Sequence, residues 1–165
     1  MDKPVICIVG AHNSGKTTFI EKVVGILSKE GYKVCYIKHD PKGKAKTDTE
    51  GKDSYKLYQA GSKQVIVASP DKVSSFVNFR DYSLLDLIRN FTIDDIDIII
   101  VEGFKTEKDV DKFEVIRKVE DRDLMLGEDE GLVGVITDYY DYPVKFDINN
   151  PSEFVEFLKE NYIKR

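Results

Sequence analysis

Three observations predict a three-layer α/β/α domain built on a mostly parallel central sheet. First, apolar runs alternate along the chain with segments whose apolar residues recur at helical spacing, the pattern of βαβ units. Second, the first run, Val5-Ile6-Cys7-Ile8-Val9, leads directly into Gly10-Ala11-His12-Asn13-Ser14-Gly15-Lys16-Thr17. That is G-x-x-x-x-G-K-T, the P-loop pattern, in the strand-then-helix setting it requires. Third, Lys33–Lys38 (KVCYIK) reads as a strand after one intervening helix, and a strand–helix–strand order implies a right-handed crossover and a parallel pair. The predicted architecture is the P-loop NTPase fold, spanning 1–165 as a single nucleotide-binding domain, with ligand at the carboxyl ends of the strands.

The elements follow in order. Val5–Val9 is apolar throughout, as a strand covered on both faces must be. Phe19, Ile20, Val23, Val24, Ile26 and Leu27 mark a helix that Gly31 ends. Asp40–Gly51 is polar, lysine-rich and aperiodic, and reads as a loop. Lys52–Ala60 reads as a short helix carrying Tyr55, Leu57 and Tyr58, closed by Gly61. Gln64–Ala68 is a strand, and Lys72–Arg80 is a weaker strand signal. Leu84, Leu85, Leu87, Ile88 and Phe91 mark another helix, and Ile96–Val101 is the strongest central strand. Phe113–Val119 alternates like a half-buried strand, and Leu132–Ile136 reads as a buried one. The last helix has Asn150 as N-cap, Pro151 in its first turn, Glu153 three past the cap, and Phe154, Phe157, Leu158 and Tyr162 as its apolar stripe.

Composition excludes several classes. A formal net charge of −5 argues against a general nucleic-acid binder, which needs a basic face. No apolar run approaches the length of a membrane span, and Met1-Asp2-Lys3-Pro4 passes straight into a strand without a signal-peptide pattern. The expected location is cytoplasmic. Cys7 and Cys35 sit in separate strands without metal-ligand spacing, and read as buried free thiols.

The P-loop carries the chemistry. Its glycines allow the tight turn that aims successive N–H groups at phosphate oxygens. The segment Gly10, His12, Asn13, Ser14, Gly15, Lys16, Thr17 and Thr18 is therefore the candidate phosphate site, with Lys16 neutralising charge and Thr17 ligating Mg²⁺. The alternative is a glycine turn with a solvated lysine. The His12 side chain reads as solvent-facing rather than as a base.

Each strand that should point at the nucleotide ends in a polar cluster: Lys38-His39-Asp40, Val101-Glu102-Gly103-Phe104-Lys105 and Thr137-Asp138. Glu102, led in by Ile98–Val101, is the candidate acid for the Mg²⁺ shell or the attacking water; its alternative is a solvated strand-end carboxylate. Gly103 would let the chain pass near the terminal phosphate. Asp40 is a second metal-shell candidate, or a turn residue before Pro41. Asp138 could accept the N1–H and exocyclic amine of guanine, which adenine lacks, and so favour GTP; its alternative is a turn or helix-initiating aspartate. His39 reads as a hydrogen-bonding residue. Lys42, Lys44, Lys46, Lys52 and Lys56 form a positive stretch that either is solvated or covers an anionic ligand.

Taken together these segments resemble a known family. GAHNSGKTT (Gly10–Thr18), IKHD (Ile37–Asp40), D-x-x-GKDS (Asp48–Ser54) and AGS (Ala60–Ser62) are followed by IVAS (Ile66–Ser69), VEGFK (Val101–Lys105), ITD (Ile136–Asp138) and FDIN (Phe146–Asn149). In that order they are similar to the molybdopterin-guanine dinucleotide biosynthesis adaptor proteins (MobB), over nearly the whole chain. The resemblance implies a homodimeric P-loop protein that binds GTP with Mg²⁺, hydrolyses it weakly, and assists the molybdopterin guanylyltransferase that attaches GMP to molybdopterin. Other molybdenum cofactor enzymes are further implied partners. The family's P-loop maps onto Gly10–Thr18 and its acidic strand end onto Glu102. Members carry further histidines between IKH and GKDS; Asp40–Thr47 (DPKGKAKT) has none.

The rival readings are a small-molecule kinase and a metallochaperone-type P-loop GTPase. Kinases of this architecture close an arginine-bearing lid over the phosphates, but Arg80, Arg89, Arg117, Arg122 and Arg165 lie in no glycine-flanked lid. Metallochaperones tend to carry His or Cys clusters, which this sequence lacks. The aromatic stretch Phe76–Tyr82 and the strand Phe113–Val119 are the candidate dimer edges.

Overall fold

In chain order the elements are β1 (Val5–Gly10), α1 (Lys16–Lys29), β2 (Val34–Lys38), α2 (Asp53–Gln59), β3 (Gln64–Ala68), β4 (Val73–Val77), α3 (Leu84–Phe91), β5 (Ile98–Glu102), β6 (Asp111–Ile116), β7 (Leu132–Thr137), β8 (Lys145–Asp147) and α4 (Pro151–Asn161). They come from a computed structural model, which describes residues 3–163. Met1, Asp2 and Arg165, considered above, lie outside the described residues. Those up to His39 and from Asn90 onward form one compact unit; Asp40–Arg89 form a second.

The first unit is a six-stranded sheet in the order β2-β5-β1-β6-β7-β8. Every neighbouring pair in it is parallel. β1 and β5 lie inside this sheet, which is why their apolar runs do not alternate: Ile6–Val9 and Ile98–Val101 are all buried. On one face α1 and α4 pack against the sheet and each other. Phe19, Ile20, Val23 and Leu27 of α1 meet Phe154, Val155 and Leu158 of α4 over Ile6, Ile8, Ile98 and Ile100. Phe113 lies at the centre, with the rings of Phe146, Phe154, Phe157 and Tyr162 edge-on at 5.0–6.4 Å.

β6 corrects two expectations. It is no half-buried strand and no edge, because it lies between β1 and β7 with Lys112 through Ile116 all buried. Glu114, within the Phe113–Val119 segment, gave the apparent alternation, yet it and the preceding Lys112 are both buried and hydrogen-bonded. Lys112 Nζ donates to the carbonyls of Glu107 (2.5 Å) and Glu130 (2.7 Å). Glu114 accepts from Arg122 and from the amides of Met125 and Leu126. The strand also stops at Ile116, and Lys118–Glu120 forms a 3₁₀ turn.

β8, unread in the sequence beyond its FDIN motif, is a three-residue strand on β7, too short for a periodicity to register. Asp147 then turns the chain into α4: its carboxylate accepts the Asn149 amide (2.8 Å) and its carbonyl the Asn150 amide (3.0 Å). Asn150 is the N-cap, but its side chain makes no capping bond. Cys7 is fully buried and burial pushes its thiol up to about 12; Cys35 is half-buried and also raised by burial, so neither is poised as a nucleophile.

The second unit pairs β3 and β4 as an antiparallel ladder, Gln64 opposite Val77 through Ala68 opposite Val73. The weaker strand signal narrows to Val73–Val77. The D-x-x-GKDS segment is a local lock: Asp48 Oδ1 accepts the Thr49 amide (2.8 Å) and the Ser54 hydroxyl (3.0 Å) at the start of α2. Lys42, Lys44, Lys46, Lys52 and Lys56 are all exposed.

Candidate functional site

The turn after β1 is shaped by what presses on it. A β-carbon on Gly10 would stand 2.7 Å from the Val115 carbonyl and 2.9 Å from Ser14 Oγ, closer than real contacts allow, so only glycine fits against β6. Ser14 is fully buried beneath the loop. Gly15 is the N-cap of α1 in the left-handed conformation, and its carbonyl accepts the Phe19 amide at 3.0 Å. The N–H groups of this first turn, with the helix dipole behind them, are the arrangement that suits an anion.

Lys16 Nζ donates to the carbonyls of Gly10 (2.9 Å) and Ala11 (2.7 Å). Its pKa is lowered by burial, against the opposing pull of Glu102. Two neutral carbonyls and the nearby Glu102 charge surround this ammonium, which is free to exchange those carbonyls for the oxygens of an anion.

Thr17 and Glu102, eighty-five residues apart, are brought together by the β1–β5 pairing. The Thr17 hydroxyl lies 3.1 and 3.0 Å from the two oxygens of Glu102. Tyr36 donates its hydroxyl to Glu102 Oε2 at 2.6 Å, and Lys38 Nζ stands 4.0 Å from Oε1. Burial and the Glu102 carboxylate both raise the Tyr36 pKa, keeping its phenol protonated as a donor. The sequence reading missed Tyr36. Tyr36 and Lys38 are two apart on one strand and so share a face, but that spacing alone does not bring Glu102 beside them. His12 through Thr18, Lys38 and Glu102 line a cleft of about 370 Å³. His12 and Asn13 lie exposed at its rim.

His39 donates its amide to the Glu102 carbonyl (2.9 Å) and stacks its ring on Phe104, centroids 4.0 Å apart. Gly103 accordingly faces the His39 side chain, 3.0 Å from where a β-carbon would stand. Asp40 opens the second unit and heads a turn there: its carbonyl accepts the Gly43 amide and its carboxylate the Ala45 amide at 2.6 Å. Asp138 sits past the end of β7, where Oδ1 accepts the Lys118 amide at 2.8 Å and Oδ2 stands 3.8 Å from Arg117 Nε. Thr137 Oγ1 caps the following turn, accepting the amides of Tyr139 and Tyr140.

Two arginines follow β6, and neither was singled out by the sequence. Arg122 bonds Glu114 (2.5 Å), Glu120 (2.9 Å) and the Val115 carbonyl (2.9 Å), the same carbonyl that crowds Gly10. Arg117 lies beside Gly15. Their signal is tertiary, since no local spacing links them to the P-loop.

Residues 5–138 match the family model described as MobB, molybdopterin guanine dinucleotide synthesis protein B. The molybdopterin-guanine dinucleotide biosynthesis adapter protein of Haemophilus influenzae is 32% identical over 97% of this chain and 89% of its own length. The adapter protein of that name from Escherichia coli is 34% identical over 64% of this chain and 61% of its own length. The crystal structure of Bacillus subtilis MobB superposes with a TM-score of 0.72 at 26% identity, covering 98% of each chain. The strand order, the loop and the family match agree: the chain belongs to the MobB family.

Proposed function

We propose that this protein is a GTP-binding adaptor in molybdenum cofactor biosynthesis, assisting the guanylyltransferase that joins GMP to molybdopterin. The observation that carries the reading is the family match across residues 5–138 together with the Thr17–Glu102 pair beside the P-loop lysine. The donor set suits a hard cation: hydroxyl and carboxylate oxygens with no sulfur. Among the described residues no cluster of three or more His, Cys, Asp or Glu stands ready to hold a metal alone. Thr17 and Glu102 would therefore share a Mg²⁺ with phosphate oxygens, and the ion would supply charge neutralisation of the β- and γ-phosphates. Tyr36 and Lys38 hold the Glu102 carboxylate in position. Lys16 exchanges its loop carbonyls for phosphate oxygens. Asp40 is the second residue proposed for the metal shell.

Asp138 is the proposed guanine contact, its second oxygen being free of any amide bond. Titration calorimetry with Mg²⁺ is expected to show GTP bound at least tenfold more tightly than ATP, a difference of about 1.4 kcal/mol. Asp138→Ala should erase the preference without abolishing binding. An unchanged preference in that variant removes Asp138 from base recognition, and an ATP preference in the wild type overturns the GTP reading.

The protein is further proposed to act in the cytoplasm as a homodimer. No described helix is long and apolar enough to cross a membrane. The β3–β4 ladder has two strands, so each leaves one side unpaired within that sheet, and Ile66 and Val73 are exposed on it at 61% and 69%. Light scattering at micromolar concentration should give twice the chain mass; a monomer mass at all concentrations overturns the dimer.

A further inference from the structure

Residues just past three neighbouring strands converge near the P-loop, Arg117 and Ile148 reaching Gly15 and Asp138 reaching Arg117. Arg117 follows β6, Asp138 follows β7 and Ile148 follows β8. A β-carbon built on Gly15 stands 3.5 Å from Ile148 Cδ1 and 3.9 Å from Arg117 Cδ. Arg117 Nε stands 3.8 Å from Asp138 Oδ2, beyond hydrogen-bond reach.

The backbone under Arg117 is held firmly. Its amide donates to Glu120 Oε2 at 2.6 Å, its carbonyl accepts the Glu120 amide at 3.0 Å, and the next amide is held by Asp138. The guanidinium is not held in the same way. Its Nε is buried and has no hydrogen-bond partner, which is rare and costs free energy in a folded protein. Arg122, five residues on, shows the contrast, because its guanidinium is taken up by two carboxylates and two carbonyls. Of the two arginines after β6, one builds the fold and the other keeps donor capacity beside the P-loop.

We propose that Arg117 is a nucleoside-recognition residue whose planar guanidinium lies against the purine, alongside the apolar Ile148 contact and the Asp138 carboxylate. A planar cation, an apolar side chain and an acceptor-only carboxylate suit the face, edge and donor groups of a purine. They suit a bare phosphate chain poorly, because Asp138 repels it. The proposal rests on the P-loop holding a nucleotide, but not on Asp138 selecting guanine.

The test is calorimetric titration of GTP, GDP and inorganic tripolyphosphate, each with Mg²⁺, into wild type, Arg117→Ala and Arg117→Lys. Arg117→Ala should weaken GTP and GDP about tenfold, the scale of a base-stacking or cation–π contact, and leave tripolyphosphate unchanged. Arg117→Lys keeps the charge and loses the plane, so it should not restore GTP affinity. Equal losses for GTP and tripolyphosphate, rescued by lysine, would overturn the proposal in favour of a charge acting on phosphate. Unchanged GTP affinity in Arg117→Ala would overturn it and leave the nucleotide reading standing. A wild type that binds tripolyphosphate but neither nucleotide would overturn both.

Discussion

Replacing Lys16 with alanine is expected to weaken GTP binding about a hundredfold, or about 2.8 kcal/mol, while leaving the fold intact. Two features set the size. The ammonium is half-buried, its pKa is lowered by that burial, and its two nearest acceptors are neutral backbone carbonyls. A polyphosphate compensates the charge far better than those carbonyls do, so most of the gain appears only on binding. The loss should also be larger for GTP than for GMP, since a P-loop lysine would serve the distal phosphates. Calorimetry on the variant checks the affinity, and thermal unfolding checks the fold. GTP affinity within twofold of wild type would remove Lys16 from the phosphate site.

Arg122→Ala is expected to destabilise the protein by about 3–5 kcal/mol, because it strands a buried carboxylate. Glu114 is fully buried, and its charged partner is the Arg122 guanidinium at 2.5 Å. The Met125 and Leu126 amides remain as donors, but they are neutral. For a chain of this size the loss lowers the thermal midpoint by roughly 10 °C or more. The double variant Glu114→Leu with Arg122→Met removes the stranded charge and keeps volume, and should recover part of the loss, the remainder being the Met125 and Leu126 amides and the Val115 carbonyl left without partners. A double variant no more stable than Arg122→Ala would show that the pair does more than satisfy itself. The same arginine holds the Val115 carbonyl against Gly10, so Arg122→Ala should also loosen the P-loop and weaken GTP binding.

The P-loop was legible because its chemistry is local: two glycines, a lysine and a hydroxyl at fixed spacing behind a buried strand. Strands β1, β5 and β7 were legible because being covered on both faces forces a continuous apolar run. β6 was misread for the converse reason. Lys112 and Glu114 are charged residues in a central strand, and their partners lie at Glu107, Glu130, Arg122 and the Met125–Leu126 amides, where no period within the strand can announce them. Tyr36 escaped because its importance depends on which strand lies beside β2. Only the pairing of Lys38 with Glu102 brings the phenol to that carboxylate.

By itself the sequence determined the parallel α/β class, the glycine-rich turn between β1 and α1 and the strand-end positions that carry polar residues. Each follows from short-range rules: side-chain periodicity, glycine's freedom at a crowded turn, and the handedness of a strand–helix–strand crossover. The tertiary structure decided which strand ends meet. Strand order brings Thr17, Tyr36, Lys38 and Glu102 to one side of the P-loop and Arg117, Asp138 and Ile148 to the other. Strand order is set by which buried faces pack together across the whole sheet, a sum over distant residues that no local window contains.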